Sequence, residues 1–338
     1  MKILIVGADD NNAIENFYIK HLSKKYFKEH FFFFKAKNIF NDFYNKSLWN
    51  KIVYRLGISF ILIKINNQLK NFILKNNPDA VIVFKGMEIK PSTLLWIKSR
   101  SIKLINYNTD NPFILTGKGS GNKNLKQSLG IYNLLLTYDN SIAERLNTMY
   151  NIPCQILPFG YEIETDTQYE DSKENLKVCF IGNADNYRIS FLNKLAEEGI
   201  EIDLYGVWPK RKLHSNINYL GKLDRGLLFS TILKYRIQLN ILRIQNKESH
   251  NMRSFEIPSI GGIQLAPKTE DHKNYFSENK EIFLYNSLQD CVDKIKYLLS
   301  VSVFESKEIR RLAKERCIKS GYSYENRANM LFNYIKEL

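Results

Sequence analysis

Cysteine is sparse in this chain. Cys154, Cys179, Cys291 and Cys317 are scattered with no C-x-x-C spacing, which disfavours a disulfide framework or a zinc site and fits reduced, mostly buried thiols. Four of the histidines (His21, His30, His214 and His272) show no ligand spacing such as H-E-x-x-H, so no metal is expected. The first strand's loop has only Gly7 and no G-x-G-x-x-G, which disfavours a bound dinucleotide there. Thr116 to Asn124 is glycine-rich yet holds no Gly-x-x-x-x-Gly-Lys-Ser/Thr, so it reads as a mobile active-site loop and not a P-loop. A Gly-x-Ser-x-Gly elbow is missing too, which removes the usual serine-hydrolase arrangement. The longest apolar run, Ile58 to Ile63, is far short of the ~20 residues of a spanning helix. Met-Lys-Ile-Leu-Ile-Val-Gly at the start reads as a strand and not a signal peptide, so the expected location is cytoplasmic.

What is present is globular. The 338 residues, 44% hydrophobic and 25% charged, suit two domains of ordinary size. Net charge is 49 − 35 = +14, and it is uneven. Between Lys20 and Lys75 twelve Lys or Arg face only Glu29 and Asp42. Nucleic acid, an anionic membrane and an acidic acceptor all fit such a surface, and so does the lysine excess of a low-GC coding bias. No nucleic-acid-binding motif supports the first of these. Within this region Leu48, Trp49, Ile52, Val53, Leu56, Phe60, Ile63 and Leu69 recur near helical spacing among Lys46, Lys51, Arg55, Lys64, Lys70 and Lys75. Two readings stand: an ordinary core helix with a solvated face, or a peripheral surface at the inner face of a membrane.

The order of elements is strand, loop, helix, repeated. Ile3–Gly7 is an apolar strand whose loop presents Asp9, Asp10 and Asn11, a polar rim where open α/β sheets place ligands. Strands follow at 31–34, 80–84, 103–107, 132–138 and 154–157. Asp110 stands in the loop after the fourth strand, either as a general base or acceptor clamp or as a turn cap ahead of Pro112. Residues 162–175 carry six acids against Lys173 and read as an exposed acidic linker. The pattern then restarts. We therefore expect an α/β protein with an N-terminal Rossmann-like domain at 1–161, the linker at 162–175, a second Rossmann-like domain at 176–320 and a last helix at 321–338.

Glu248 to Ala266 concentrates the chemistry: a polar loop, a short helix, a Gly-Gly stop and a buried strand. Pro258 is tolerated only if the helix begins about one turn earlier, near Asn251 to Ser254, either of which can cap it. Free amides at that start, with His250 and Arg253 beside them, suit an anion such as phosphate. Glu256 is an acceptor-only group suited to two sugar hydroxyls.

Met-Arg-Ser-Phe-Glu-Ile-Pro-Ser-Ile-Gly-Gly resembles the signature of the CgeB-like, spore-maturation-type glycosyltransferases of the GT-B fold, and Tyr-Asn-Thr-Asp110-Asn-Pro-Phe, Phe180-Ile-Gly-Asn and Tyr205-Gly-Val-Trp208 extend the resemblance. It implies two Rossmann-like domains facing each other across a cleft, with the C-terminal helix returning to the first. It further implies a metal-independent glycosyltransferase, hexosyltransferase-like, that moves a sugar from a UDP- or GDP-linked donor to a saccharide, lipid-linked or protein acceptor in cell-surface polysaccharide biosynthesis. The donor would lie on Arg253, Glu256, Asn251, Ser254, Arg188, Arg243, Gly182 and Trp208. Arg188 would hold either its helix or the phosphates, and Trp208 would either flank the base or pack. Glu248, His250 and Asp110 would serve catalysis, with Asp9, Asp10 and Asn11 on the acceptor side.

Overall fold

The computed structural model describes residues 1–10, 13–26, 30–114, 121–162 and 174–338. Asn11, most of the glycine-rich loop and residues 163–173 of the expected linker lie outside them. The chain divides into two compact units, Met1–Pro158 with Tyr324–Leu338, and Phe159–Ser323.

The first unit runs β1 (Ile3–Val6), α1 (Ile14–Lys25), β2 (Phe31–Phe34), α2 (Ala36–Lys46), α3 (Leu48–Arg55), α4 (Ile61–Asn76), β3 (Ala80–Phe84), α5 (Pro91–Lys98), β4 (Lys103–Asn108), α6 (Lys123–Ser128), β5 (Leu134–Thr137), α7 (Asn140–Tyr150) and β6 (Cys154–Ile156). Its strands pair in parallel in the order β2-β1-β3-β4-β5-β6. Every residue of β1 and β3 is buried. That is why these strands read as unbroken apolar runs, since a parallel sheet is covered by helices on both faces. The order reverses between β1 and β3, which makes the loops after those strands a topological switch point.

The second unit contains β7 (Asn175–Ile181), α8 (Asn186–Glu197), β8 (Ile202–Tyr205), β9 (Ile217–Gly221), α9 (Leu228–Lys234), β10 (Tyr235–Leu239), α10 (Arg253–Ser259), β11 (Gln264–Pro267), α11 (Glu270–Tyr275), β12 (Phe283–Tyr285), α12 (Leu288–Ser300) and α13 (Val303–Lys319). All its strands are parallel, in the order β12-β11-β10-β7-β8-β9. From β7 the chain winds one way through β8 and β9, then crosses to β10 and winds the other way through β11 and β12, so this unit's switch point lies between β7 and β10.

The last helix, α14 (Tyr324–Glu337), belongs to the first unit. It packs on α1 through stacked rings, Phe17 on Tyr324 and Tyr26 on Phe332. Tyr334 also donates to Ile156 O at 3.0 Å. Such ring pairs each contribute about 0.5–1.5 kcal/mol beyond their buried area.

Composition misread both acids of the expected linker that the structure describes: Glu162 is buried, and Glu174 is nearly so. Glu174 is not solvated: its carboxylate takes both the buried Arg236 (2.6 Å) and the buried Arg310 (2.5 Å). Arg236 also donates to Leu298 O and Val301 O, and Arg310 to Gly261 O and Tyr235 O. One acid thus ties β10, α12 and α13 together. Burial pushes its pKa up, but the two guanidinium groups outweigh that and hold it below the usual carboxylate value. Removing one member of a buried ionic cluster strands the others' charge and costs roughly 3–5 kcal/mol. Glu174→Gln should therefore lower the urea-unfolding stability of the second unit by about 3 kcal/mol or more, and an unchanged midpoint would show that the arginines are satisfied without it.

Candidate functional site

At the β7/β10 switch point, the turn after β7 is held from three sides. Trp208 Nε1 donates to Gly182 O at 2.7 Å and Tyr205 O at 3.3 Å, and its ring packs edge-on against Phe180. Gly206 must be glycine: its φ is +133°, and a Cβ there would lie 2.0 Å from Gly182 O. Asn183 accepts from Val207 N. Trp208 is therefore a buried positioning residue in this structure.

Arg188, in the first turn of α8, spans the switch point. Its Nη1 donates to Asn183 O (2.9 Å), and Nε and Nη2 donate to Ile241 O (3.1 and 2.6 Å). The guanidinium joins the chain leaving β7 to the chain leaving β10. Burial depresses its pKa to about 10. Asp185 opposes that shift, while the charges of Arg243 and Arg253 add to it. Arg243 and Arg253, also expected at the donor site, follow β10 on the other side of the switch point, and Arg243 is exposed to solvent.

The signature stretch folds largely as its residues dictate. The helix begins at Arg253, and Pro258 sits inside it. Asn251 Oδ1 accepts from Ser254 N at 3.0 Å, and Ser254 Oγ accepts from Asn251 N at 3.2 Å, a reciprocal cap. Gly261 closes the helix at φ +86°. At Gly262 a Cβ would meet Ile232 and Ile257 within 2.8 Å. Asn240, just beyond β10, pairs with Asn251 amide to amide at 2.9 and 3.1 Å. Asn251 and Ser254 therefore spend their side chains on fixing the loop.

Glu256 is fully buried, and Glu248 has a side chain 77% exposed beside Lys247. The two expected glutamates differ sharply in setting. Glu256 pairs with Arg253 on its own helix turn and with Arg225 Nη2 at 3.4 Å. Arg253 Nε is buried without a hydrogen-bond partner among the described residues. Arg225 carried no signal in the sequence, because its partner lies on a separate element.

His250 is completely buried. Its Nε2 accepts from Phe159 N at 3.2 Å, so Nδ1 carries the proton and donates to Asp271 Oδ2 at 2.7 Å. Burial raises the Asp271 pKa, but the bonds from His250 and Ser249 more than offset it and leave the carboxyl below its usual value. Both ring nitrogens of His250 are thus engaged within the protein, and its role in this structure is to position the loop. His272, set aside for want of ligand spacing, instead carries architecture. Its Nδ1 donates to Pro267 O (2.8 Å), and Nε2 accepts from Ser254 Oγ (2.8 Å).

In the first unit, Asp110 Oδ2 accepts from Lys85 Nζ at 2.5 Å, and the Asp110 backbone N–H donates to Asn108 Oδ1. Asp9 pairs with Lys35, and its backbone exchanges bonds with the Asn38 amide. Asp10 O accepts from Ala13 N and Asn16 Nδ2. The loop after β1 is closed by Glu15, whose Oε1 accepts from Ala8 N at 2.9 Å and lies 2.6 Å from where a Gly7 Cβ would stand. The α1 start, where a dinucleotide fold would seat its pyrophosphate, is filled by the protein's own carboxylate. Among the described residues no group of His, Cys, Asp and Glu is arranged to hold a metal ion.

Residues 188–333 match the glycosyl transferase-like family model. No curated protein sequence matches the chain. Among solved structures, a glycosyltransferase from Rickettsia africae superposes with a TM-score of 0.68 at 13% identity, over 99% of this chain and 98% of that one. Anabaena HepE in complex with UDP and glucose gives 0.67 at 11% identity, with both chains fully covered. The UDP-GlcNAc 2-epimerase of Neisseria meningitidis bound to UDP-GlcNAc gives 0.59 at 12%, again over both whole chains. The shared architecture is the GT-B fold.

The His272 ring supplies a pH test. Burial lowers its pKa from 6.5 to about 4. The unfolded chain therefore binds a proton at a pH where the folded one does not, and stability is lost as pH falls from 6.5 toward 4. The shift predicts a loss of about 2 kcal/mol between pH 7 and pH 5. Chemical unfolding of wild type and His272→Gln across that range should show the slope in the first and a flatter profile in the second.

Proposed function

We propose, from the glycosyl transferase-like segment at 188–333 and the GT-B fold that carries it, that this chain is a glycosyltransferase using a nucleotide-sugar donor. The observation that carries the reading is the placing of Arg188 just after β7 and of Arg243 and Arg253 after β10, at the switch point where open α/β sheets place their ligands. Departure of a nucleoside diphosphate develops negative charge, and prepositioned cations in a site with few mobile waters stabilise it. Arg253 and Arg243 take the diphosphate, and Arg253 offers a donor atom without a protein partner. Arg188 holds the two loops between which the donor enters, with Trp208 and Gly182 fixing the first of them. Glu256, gripped by two arginines, orients them before it meets any ribose hydroxyl. Asn251, Ser254 and His250 set the loop, and exposed Glu248 faces the donor sugar.

On the acceptor side we assign Asp110, with Asp9 and Asp10 behind it. If the reaction inverts configuration, Asp110 is the base; if it retains, Asp110 holds the acceptor. The donor is UDP- or GDP-linked, as UDP ligands in the neighbours HepE and the 2-epimerase suggest, and the acceptor is a saccharide, lipid-linked or protein hydroxyl. The epimerase neighbour favours a second reading on the same fold, inversion of a sugar-nucleotide stereocentre without transfer. A third is a silent nucleotide-sugar binder.

Calorimetric titration with UDP, GDP and their hexose conjugates separates these. Binding followed by release of free nucleoside diphosphate supports transfer, epimer formation with the diphosphate retained supports the second reading, and binding with neither supports the third. Arg253→Ala should lower turnover by about 10²–10³, or 2.7–4 kcal/mol. Arg243→Ala, which strands no buried partner, should weaken diphosphate binding with unchanged folding. Wild-type turnover in both variants would remove the arginines from the mechanism.

A further inference from the structure

Helix α3 buries none of its residues. On one side it leans on α2 through Tyr54, which packs against Phe40 and Tyr44, and through Asn50, whose amide donates to Phe43 O. The stripe Leu48, Ile52, Leu56 at four-residue spacing, with Trp49 beside it, faces solvent. The chain then turns at Gly57 (φ +75°) and adds Ile58, Phe60 and Ile63, all exposed. Relative exposure reaches 78% at Phe60, 77% at Leu48 and 69% at Trp49. A folded protein seldom leaves so many large apolar side chains contiguous and uncovered.

The charge around this face selects the partner. Lys46, Lys51, Arg55 and Lys64 are interleaved with it, and no acid occurs from Phe43 to Pro78. Of the described ion pairs none involves these four cations. A protein-binding face has a polar rim of no set sign, whereas apolar anchors interleaved with lysine and arginine, in a segment without acids, match an anionic lipid surface. The position is also telling. Asn66, early in α4, exchanges bonds with Glu88 O and Lys90 N, just past β3. Tyr54 of α3 senses the Glu88 carboxylate, though burial is the larger influence on it. The face therefore lies at the carboxyl end of the first unit's sheet, the end that carries Lys85 and Asp110. Among the described residues no helix is long and apolar enough to cross a membrane, so contact here is from one side.

We propose that α3 and the start of α4 dock this chain on an anionic lipid bilayer. Trp49, Leu48 and Phe60 enter the acyl boundary while Lys46, Lys51, Arg55 and Lys64 meet lipid phosphates. The contact does not depend on nucleotide, and it brings the proposed acceptor rim to the membrane, where a lipid-linked hydroxyl would lie.

Flotation with phosphatidylcholine vesicles, with and without phosphatidylglycerol, tests it on the full chain. Wild type should float only with the anionic vesicles, and less as salt rises. A Lys46→Gln, Lys51→Gln, Arg55→Gln variant should lose roughly a hundredfold in partitioning, at about fivefold per charge. Trp49→Ser with Phe60→Ser should lose at least about as much, and brominated lipid should quench tryptophan fluorescence in wild type but not in that variant. Nucleotide binding should be equal in all three proteins, which shows they are folded and separates docking from the donor reading. Flotation that survives both sets of changes overturns the proposal. So does wild type that ignores anionic vesicles but forms a dimer abolished by Trp49→Ser with Phe60→Ser, since the face would then be covered by a second copy.

Discussion

The second unit depends on one guanidinium. A doubly wound sheet splits its loops at the switch point, because the chain leaves adjacent strands for helices on opposite faces. Nothing in the ladder itself holds those loops together. Arg188 does so by donating to Asn183 O on one side and Ile241 O on the other. The cost is a cation buried beside two further cations, visible as a pKa held down to about 10. Asp185, which caps α8 and lies 3.6 Å from Arg188, offsets part of it. An anion in the same place would offset more, which is the physical reason to seat a diphosphate there.

Around that clamp the polar residues form layers. Asn240, Asn251, Ser254 and His272 link β10, the loop before α10 and the end of β11. Ser249, His250 and Asp271 make a second tie behind them. Asn251 is half-buried and the others are buried, and all are paired, so each fixes geometry more than it offers chemistry to a ligand. Buried polar networks of this kind specify one arrangement when fully satisfied and are costly when broken. The residues left to meet a ligand are those with solvent access or open donors, chiefly Arg243 and Arg253.

The sequence made β1, β3 and β5 legible because each is a short, buried apolar run beside a Gly, Asp or Asn. It made α10 legible because Pro258 limits how far upstream a helix can start. It did not reveal α9, α11 or β12, whose segments are short and whose stability comes from packing between neighbours and not from local periodicity. Nor could it show that Glu256 meets Arg225, a contact between elements well apart in the chain. Glu174 fell into the same gap: an acid among acids looks solvated until β10 and α13 bring Arg236 and Arg310 to it. For the basic stretch, periodicity alone could not separate its core helix from its exposed face. In the structure α4 turns Ile65, Leu69 and Ile73 inward, while α3 keeps the same kinds of residue outside.

That contrast bears on how the net charge of +14 should be understood. A coding bias toward lysine would scatter cations over the surface without regard to neighbours. Here Arg188 is held by carbonyls and Arg253 by a carboxylate beside the second unit's switch point, and Lys46, Lys51, Arg55 and Lys64 flank an uncovered apolar face. Arginine's planar fork suits fixed, partly desolvated contacts, and lysine's flexible, strongly hydrated ammonium suits a fluid anionic surface. A lysine excess explains how many cations the chain has, but not why those around α3 surround Trp49 and Phe60 while those around α10 converge on one loop.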